Sequence, residues 1–244
     1  MISIIIPARN EEKYIEGCLI SIFSQQHGVN FEVIVVDNAS SDRTAAVVRK
    51  KFPQAKVLSE QRPGTNRSRQ KGFDAATGDI VVFLDADVRL PEGWLQRIEN
   101  RLKRSPDLVA ISGPYRYYDI PWFLNVLSDL YTFLVTLPWQ LFTKITGLPS
   151  FMIGGNMAIR KNRLIEAGGL NTDLQFFGDD TDTGRRLYKV GRVIFSFRFW
   201  VYTSARRYKK NGVVKTTIAY LRNYFSLIYT HKLKDSNKTY EEIR

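Results

Sequence analysis

Two carboxylates stand one residue apart immediately after a run of five apolar residues. Asp85 and Asp87 follow Ile80–Leu84, and an apolar run of that length is typical of a strand buried on both faces of a parallel sheet. Two acids at the end of a buried strand repel one another unless a cation lies between them. A hard divalent metal shared with a phosphate fits this chemistry, and an acidic turn is the simpler alternative.

Other acidic residues stand at the ends of further predicted elements. Asp37 follows the predicted strand 31–36, and Asp179 and Asp180 open a predicted helix that runs to Lys189. Ligands of open α/β sheets bind at the carboxyl ends of the strands, so we expect these acids at one sheet edge. Acids there can hold a base, a ribose and a metal, while basic groups neutralise a diphosphate. The basic candidates are Arg67, Arg69, Lys71, Arg206 and Arg207.

Strands and helices alternate over the first half of the chain, which predicts βαβ units and a parallel sheet. Pro7 is expected to end the first strand. The predicted strands are 2–6, 31–36, 56–58, 80–84 and 108–112, and the predicted helices are 11–26, 42–51, 66–76 and 91–103.

The second half of the chain has a different character. Segment 121–148 is apolar and aromatic, and Pro138 is expected to break or kink its helix. Two interpretations stay open: a helix pair that covers the sheet, or a segment that lies on a membrane or grips a lipid. Segment 151–159 is predicted as a strand interrupted by Gly154–Gly155, which marks a bulge or the approach of a ligand. Segment 193–202 is predicted to be extended, and 213–228 is predicted as an apolar, aromatic helix.

Composition narrows the classes of protein and of partner. The chain has 244 residues, 44% of them hydrophobic, which is typical of a globular protein. Its 36 Lys and Arg against 24 Asp and Glu give a net charge of +12, which favours phosphate-bearing partners such as nucleotides, nucleic acid or an anionic membrane. The single Cys18 excludes an intrachain disulfide and favours a reducing compartment. No signal-peptide pattern is visible, so we expect a cytoplasmic protein, with peripheral contact to the cytoplasmic membrane face.

Five short motifs follow one another along the chain. They are SIIIPARNEE (3–12), VVDNASSDRT (35–44), FLDAD (83–87), GGN (154–156) and GDDTD followed by RRL (178–187). In this order they resemble the motifs of family 2 glycosyltransferases with the GT-A fold, over residues 1–207. The resemblance implies a Rossmann-like, mostly parallel central sheet flanked by helices, with a smaller acceptor-side subregion. It also implies a nucleotide-sugar half (1–112), an acceptor half (113–207) and a C-terminal basic and aromatic helix with a polar tail (208–244).

The resemblance also implies roles for individual residues. Asp180 is implied as the general base, although the family usually has Glu-Asp where this chain has Asp179-Asp180. Asp87 is implied to hold Mn²⁺ or Mg²⁺, and Asp85 is implied to contact the ribose or the metal. Many relatives carry a His near the end of the domain, and this chain has Arg206 and Arg207 there. The residues implied to contact a UDP- or GDP-sugar donor are Pro7, Ala8, Arg9, Glu11, Asp37, Arg69, Asp85, Ala86, Asp87 and Arg207.

The expected function is therefore inverting, metal-dependent transfer of a sugar, such as a hexose, to a hydroxyl or phosphate. The expected acceptor is a glycan or a polyprenyl phosphate, and nucleic acid is not an expected partner. A sugar nucleotidyltransferase is an alternative, but it needs a glycine-rich loop with a lysine where residues 7–10 are PARN. A non-enzymatic binder of membrane or nucleic acid is another, but it leaves the placed carboxylates unexplained. A dehydrogenase is disfavoured because no G-x-G-x-x-G follows a strand.

Overall fold

A seven-stranded sheet forms the centre of the computed structural model, which describes residues 1–25, 28–146, 152–174, 178–213, 215–219 and 222. Its strands are β1 (Ile2–Ala8), β2 (Phe31–Asp37), β3 (Lys56–Ser59), β4 (Ile80–Leu84), β5 (Leu108–Ser112), β7 (Asn156–Arg160) and β8 (Arg192–Phe195), and β6 (Tyr115–Tyr117) and β9 (Val201–Thr203) form a second, two-stranded sheet. The helices are α1 (Ile15–Phe23), α2 (Thr44–Lys51), α3 (Thr65–Asp74), α4 (Trp94–Lys103), α5 (Trp122–Thr146), α6 (Lys161–Glu166), α7 (Asp179–Tyr188) and α8 (Arg206–Asn211), with a 3₁₀ turn at Phe197–Phe199.

The strand order is β3-β2-β1-β4-β7-β5-β8, and only β7 runs antiparallel to its neighbours in the described sheet. This confirms the predicted α/β fold with a mostly parallel sheet. Ala8 pairs with Asp37, and Ile5 pairs with Phe83, so the carboxyl ends of β1, β2 and β4 meet at one edge. The sheet takes strands from both the 1–112 and the 113–207 segments.

Burial of the central strands explains their apolar sequences. All five residues of β4 are buried, and the side chains of β1 and β4 alternate between two apolar clusters on opposite faces of the sheet. Each fully buried Val or Ile contributes about 1.5–3 kcal/mol relative to an exposed one. Helix α3 approaches β1 closely at Gly72, where a Cβ atom would overlap the side chain of Ile5.

Strand β1 continues through Pro7, so the prediction that this proline ends it is wrong. The amides of even-numbered residues in β1 face β2, since Ile2 N–H donates to Asn30 and the Ala8 carbonyl accepts from Asn38. Pro7 therefore faces β4, whose pairing with β1 ends at Ile5. Its missing N–H costs no hydrogen bond of the sheet.

Helix α5 differs from the first interpretation of segment 121–148, a helix pair that covers the sheet. It is one helix with Pro138 inside it, so the predicted helix pair is not found. The carbonyl of Leu134, which has no N–H donor at Pro138, belongs to a residue that is 61% exposed, where water can bond it. The helix does not cover the sheet either: Thr136 is the only buried residue among its described side chains.

Three smaller differences concern element bounds. Strand β7 begins at Asn156, so Gly154 and Gly155 lie in the preceding turn, and residue 151 lies outside the described residues. Segment 193–202 divides into β8, a 3₁₀ turn and β9, because the Ser196 hydroxyl accepts from Arg198 N–H and starts the turn. The predicted helix 213–228 falls largely outside the described residues.

Candidate active site

A cavity of about 670 Å³ lies at the carboxyl ends of β1 and β4. It brings together eight of the residues predicted for the site. They are Pro7, Ala8, Arg9, Arg69, Asp85, Asp87, Asp180 and Arg207. Three other predicted residues, Glu11, Asp37 and Ala86, are not on its wall; Glu11 and Ala86 are buried behind it.

The buried guanidinium of Arg69 connects two acidic motifs that lie far apart in sequence. Arg69 is on α3, and its side chain is 3% exposed. Its Nη2 donates to Asp85 Oδ1 at 3.2 Å, and its Nη1 donates to Asp179 Oδ2. A buried cation is tolerated when carboxylates compensate it, so Arg69 holds the loop after β4 against the start of α7. Tyr115 completes this contact, since its hydroxyl donates to Asp85 Oδ2 at 3.2 Å.

The glycine pair before β7 is explained by close approach. A Cβ atom on Gly155 would overlap the Asp85 carboxylate and the Tyr115 hydroxyl. A Cβ atom on Gly154 would lie 3.0 Å from the Arg69 guanidinium nitrogens. Larger residues at these positions would displace the groups that line the cavity.

Asp180 lies in the first turn of α7, after Gly178 in a left-handed conformation with φ 76°. Its Oδ2 accepts from Gly154 N–H at 3.3 Å, and its Oδ1 accepts from Thr181 N–H at 2.7 Å. Burial, and then the negative charge of Asp179, raise the pKa of Asp180 to about 7. A carboxylate with a pKa near neutral can accept a proton efficiently at neutral pH. Burial also raises the pKa of Asp179, and the Arg69 guanidinium opposes that shift.

Asp87 is held by groups from the C-terminal part of the described chain. Thr203 Oγ1 donates to its Oδ1 at 3.2 Å, and Arg206 Nη2 lies 3.2 Å from its Oδ2. Strand β9 reaches this position because Arg89 and Tyr202 exchange backbone hydrogen bonds. Neither Thr203 nor Tyr115 belongs to one of the five sequence motifs, so their contacts with Asp87 and Asp85 could not be predicted from those motifs.

The loops after β1 and β2 form the wall around Pro7, Ala8 and Arg9. Asn10 and Ala39 both have positive φ, 56° and 52°, and strained residues of this kind cluster at functional sites. The Asn38 amide fixes the second loop: it donates to the Glu60 and Arg62 carbonyls and accepts from Gly64 N–H. Asp37 precedes it at the end of β2, and its buried Oδ1 has no hydrogen-bond partner among the described residues.

The opposite wall is formed by α5, β6 and α8. Helix α5 contributes a polar stripe, which consists of Ser128 and, one turn later, Tyr131 and Thr132. Tyr117, Arg207, Tyr208 and Lys210 also line this side. The helical spacing of Ser128 and Thr132 is visible in the sequence, but it did not assign them to the site, because polar residues at that spacing also form the solvent face of an amphipathic helix.

The carboxylates at the end of β4 supply some of the oxygen ligands that a hard cation needs. Asp85 and Asp87 supply carboxylate oxygens, which are the ligands that Mg²⁺ and Mn²⁺ take. In the part of the chain that the structure describes, no group of three His, Cys, Asp or Glu side chains is suited to hold a metal. Phosphate oxygens or water would have to complete the ligand set.

Comparison with known proteins identifies relatives of the chain. Residues 3–168 match the family model described as Glycosyl transferase family 2. An uncharacterized glycosyltransferase of Haemophilus influenzae is 28% identical over 189 residues, which cover 73% of this chain and 59% of that protein. A dolichol-phosphate mannosyltransferase of Pyrococcus furiosus is 32% identical over 117 residues, covering 47% of this chain and 33% of that protein.

A solved structure shares the fold. It is the mannosyltransferase PcManGT from Pyrobaculum calidifontis in complex with GDP-Man and Mn²⁺, with a TM-score of 0.67 and 25% identity, covering 91% of this chain and 64% of that one. The chain spans between 33% and 59% of the length of four of the curated relatives that it matches. No helix among the described residues is both long and apolar enough to cross a membrane.

Proposed function

The chain belongs to glycosyl transferase family 2, and on that premise we propose that it transfers a hexosyl group from a nucleoside-diphosphate sugar to a hydroxyl or phosphate, with inversion. The observation that carries the proposal is the buried contact of Arg69 with Asp85 and Asp179. It places the carboxylates after β4 and the base candidate Asp180 around one cavity.

The donor occupies the side of the cavity formed by β1, β2 and β4. Pro7, Ala8 and Arg9 of the cavity wall lie along the nucleotide. Asp37 is off that wall, but it ends β2 beside Ala8, and on the family resemblance it is the residue proposed to bind the base. UDP- and GDP-sugars are the proposed donors.

Asp85 and Asp87 are the residues that would hold Mn²⁺ or Mg²⁺. When bound, such an ion supplies positive charge against the diphosphate that leaves. The chain's own cations act in the same direction: Arg206 and Arg207 line the cavity. Preorganised positive charge where negative charge develops is the largest single contribution in many enzymes.

Asp180 accepts the proton of the attacking group. The acceptor oxygen forms the new bond to the anomeric carbon from the face opposite the leaving oxygen, the bond from that carbon to the diphosphate breaks, and the electron pair goes to the diphosphate. The hydroxyl proton goes to the Asp180 carboxylate, which Gly154 N–H and Thr181 N–H orient. General-base catalysis of this kind contributes about 10²–10⁴-fold.

The test is a screen of UDP- and GDP-sugars for hydrolysis and transfer, with Mn²⁺, with Mg²⁺ and with EDTA. Asp180→Asn should lower turnover by at least about 10²-fold and leave nucleotide affinity nearly unchanged. Asp79→Asn is the matched control, because Asp79 is exposed and precedes β4 at the opposite sheet edge. Robust turnover by Asp180→Asn would remove Asp180 from the role. In a parallel assay with added pyrophosphate, formation of a sugar phosphate and a nucleoside triphosphate would indicate a nucleotidyltransferase instead.

The acceptor is proposed to be a glycan or a polyprenyl phosphate presented at a membrane. Support comes from the α5 ridge, by which we mean the exposed apolar side chains of that helix outside the polar stripe: Trp122, Phe123, Leu124, Val126, Leu127, Leu130, Phe133, Leu134, Leu137 and Leu141. Contiguous exposed apolar surface marks a binding surface. Because Ser128, Tyr131 and Thr132 of the same helix line the cavity, a surface bound to the ridge would lie beside the cavity.

The charges beside the α5 ridge favour an anionic bilayer as its binding partner. Segment 122–146 contains two charged residues, Asp129 and Lys144, and Asp129 is neutralised by Arg116 at 2.8 Å. Helix α8 adds Arg207 and Lys210 on the same cavity wall, and Tyr208 of α8 packs edge-on against Tyr117. An apolar surface beside cations, in a chain of net charge +12, matches the interface of an anionic membrane.

Vesicle sedimentation tests this part of the proposal. The protein should pellet with vesicles that contain phosphatidylglycerol at low salt, and Leu127→Asp with Leu134→Asp should abolish pelleting. Ile165→Asp is the control, since Ile165 is equally exposed but lies on α6. If the double variant pellets like the wild type, the ridge is not the membrane contact; a concentration-dependent dimer that the double variant loses would assign the ridge to a second copy.

A further inference from the structure

Three parts of the chain meet at the side chain of Arg206, the first residue of α8. Its two terminal nitrogens donate to the two carboxylate oxygens of Glu11, both at 2.7 Å. Its Nη2 also lies 3.2 Å from Asp87, and the guanidinium stacks on the Tyr14 ring at 4.4 Å from the centroid. The loop after β1, the carboxylates after β4 and the start of α8 are thereby joined through one cation.

Glu11 gives Arg206 a fixed position. The Glu11 side chain is fully buried, its N–H donates to Thr44 Oγ1 at 2.8 Å, and its carbonyl accepts from Tyr14 and Ile15. A buried carboxylate without its cation is strongly unfavourable. Arg206 must therefore stay with Glu11 whatever binds in the cavity.

The contact of Arg206 with Asp87 is of a different kind. Arg206 Nη2 lies 3.2 Å from Asp87 Oδ2, whereas two shorter hydrogen bonds of 2.7 Å join Arg206 to Glu11. Asp87 also has Thr203 as a donor. Asp87 can therefore exchange Arg206 for another cation, while Arg206 keeps its compensating charge. Since Arg206 lines the cavity and its side chain is 32% exposed, an anion in the cavity can contact the guanidinium.

We propose that Arg206 is a permanent cation of the donor site: it neutralises Asp87 in the empty protein and contacts the diphosphate when the donor is bound, with Glu11 as its positioning residue. The inference deepens the proposed function and rests on it, because it needs a donor diphosphate beside Asp87. Arg206 should therefore have opposite effects on the affinities for two ligands. Arg206 competes with a metal ion for Asp87, and it strengthens binding of a nucleoside diphosphate.

Binding measurements without turnover separate these expectations. Calorimetric titration with MnCl₂ in the absence of nucleotide should give tighter binding to Arg206→Met than to the wild type, by at least about threefold, since a competing cation is gone. Titration with UDP and with GDP in EDTA should give a lower affinity for Arg206→Met than for the wild type. For the nucleotide that the wild type binds more tightly, the loss should be about tenfold to a hundredfold, since a charge-assisted contact is lost. A loss of structure alone would weaken both kinds of binding.

The single variant removes both Arg206 hydrogen bonds from the buried Glu11 carboxylate and can unfold. The double variant Glu11→Met with Arg206→Met removes both charges, and replacement of a buried ion pair by apolar residues is often neutral for stability. It should show the same pair of changes in affinity. Arg206→Lys keeps the charge and should retain most of the metal-free nucleotide affinity.

The neighbouring ion pair is the matched control. Glu12 and Arg43 form an exposed contact at 3.3 Å, so Glu12→Gln with Arg43→Met should change neither affinity. Unchanged or weaker Mn²⁺ binding to the Arg206 variants, or unchanged nucleotide binding in EDTA, overturns the inference. Wild-type protein that binds both ligands but transfers no sugar would overturn the proposed function alone.

Discussion

Strand β4 and helix α5 are both strongly apolar in sequence, and they have opposite environments. Every residue of β4 is buried, whereas Thr136 is the only buried residue among the described side chains of α5. Strand β4 lies between β1 and β7, with helices on both faces of the sheet; α5 packs mainly beside the short strand β6. An apolar sequence therefore indicates that a segment has a surface to bury. The neighbouring elements decide whether that surface is buried in the protein's own core or stays exposed.

The two regions also contribute differently to the cavity. Strand β4 ends in Asp85 and Asp87, so the groups proposed to bind the donor are attached to the most buried part of the fold. Helix α5 contributes the hydroxyl groups of its polar stripe from a largely exposed element. This division suits a site whose donor geometry must be fixed and whose other substrate arrives from outside.

A charge in β4 should have the largest effect. Val82→Asp places a carboxylate without a partner in the centre of the sheet, where Val82 is fully buried, and should cost more than about 4 kcal/mol of the free energy of unfolding. We expect no cooperative thermal transition by circular dichroism. A transition at the wild-type temperature would contradict the view that β4 is the core.

Gly155→Ala should have the next largest effect and a local one. The added methyl group overlaps the Asp85 carboxylate and the Tyr115 hydroxyl, so one of them must move, at a cost of about 1–3 kcal/mol. Nucleotide affinity should fall by about tenfold while the protein stays folded. Wild-type nucleotide affinity measured by calorimetry would show that Asp85 does not need its observed position.

The pH dependence should separate the two regions. The pKa of Asp180 is raised to about 7, and the base acts when deprotonated, so turnover should fall about tenfold for each pH unit below that value. Vesicle binding should be flat from pH 6 to pH 8, because Lys and Arg stay charged there. A parallel loss of turnover and vesicle binding below pH 7 would indicate a general structural change instead.

The smallest effect should come from α5. Leu127→Asp and Leu134→Asp are both at exposed positions, so each should change the free energy of unfolding by no more than about 0.5 kcal/mol. Urea denaturation without lipid measures this. A loss of several kcal/mol would show that the ridge is packed against part of the protein, and the contrast with β4 would disappear.

Much of the fold of residues 1–112 could be predicted because local sequence patterns and long-range packing agree there. The bounds of β4 and β5 match the prediction, and the acids at strand ends converge because parallel strands present their carboxyl ends at one edge. The environment of Glu11 could not be predicted. Its motif suggests a ligand contact, but its partner is Arg206, 195 positions away, and pairing over that distance has no periodic signature.

The amino-acid sequence by itself determined the order of strands and helices and the motifs at their ends, because periodicity and turn chemistry act over a few residues. Tertiary structure alone decided which apolar segment became core and which stayed exposed, and which cation faces each carboxylate. The physical reason is that burial and charge compensation depend on every neighbour a residue acquires, and those neighbours come from all parts of the chain.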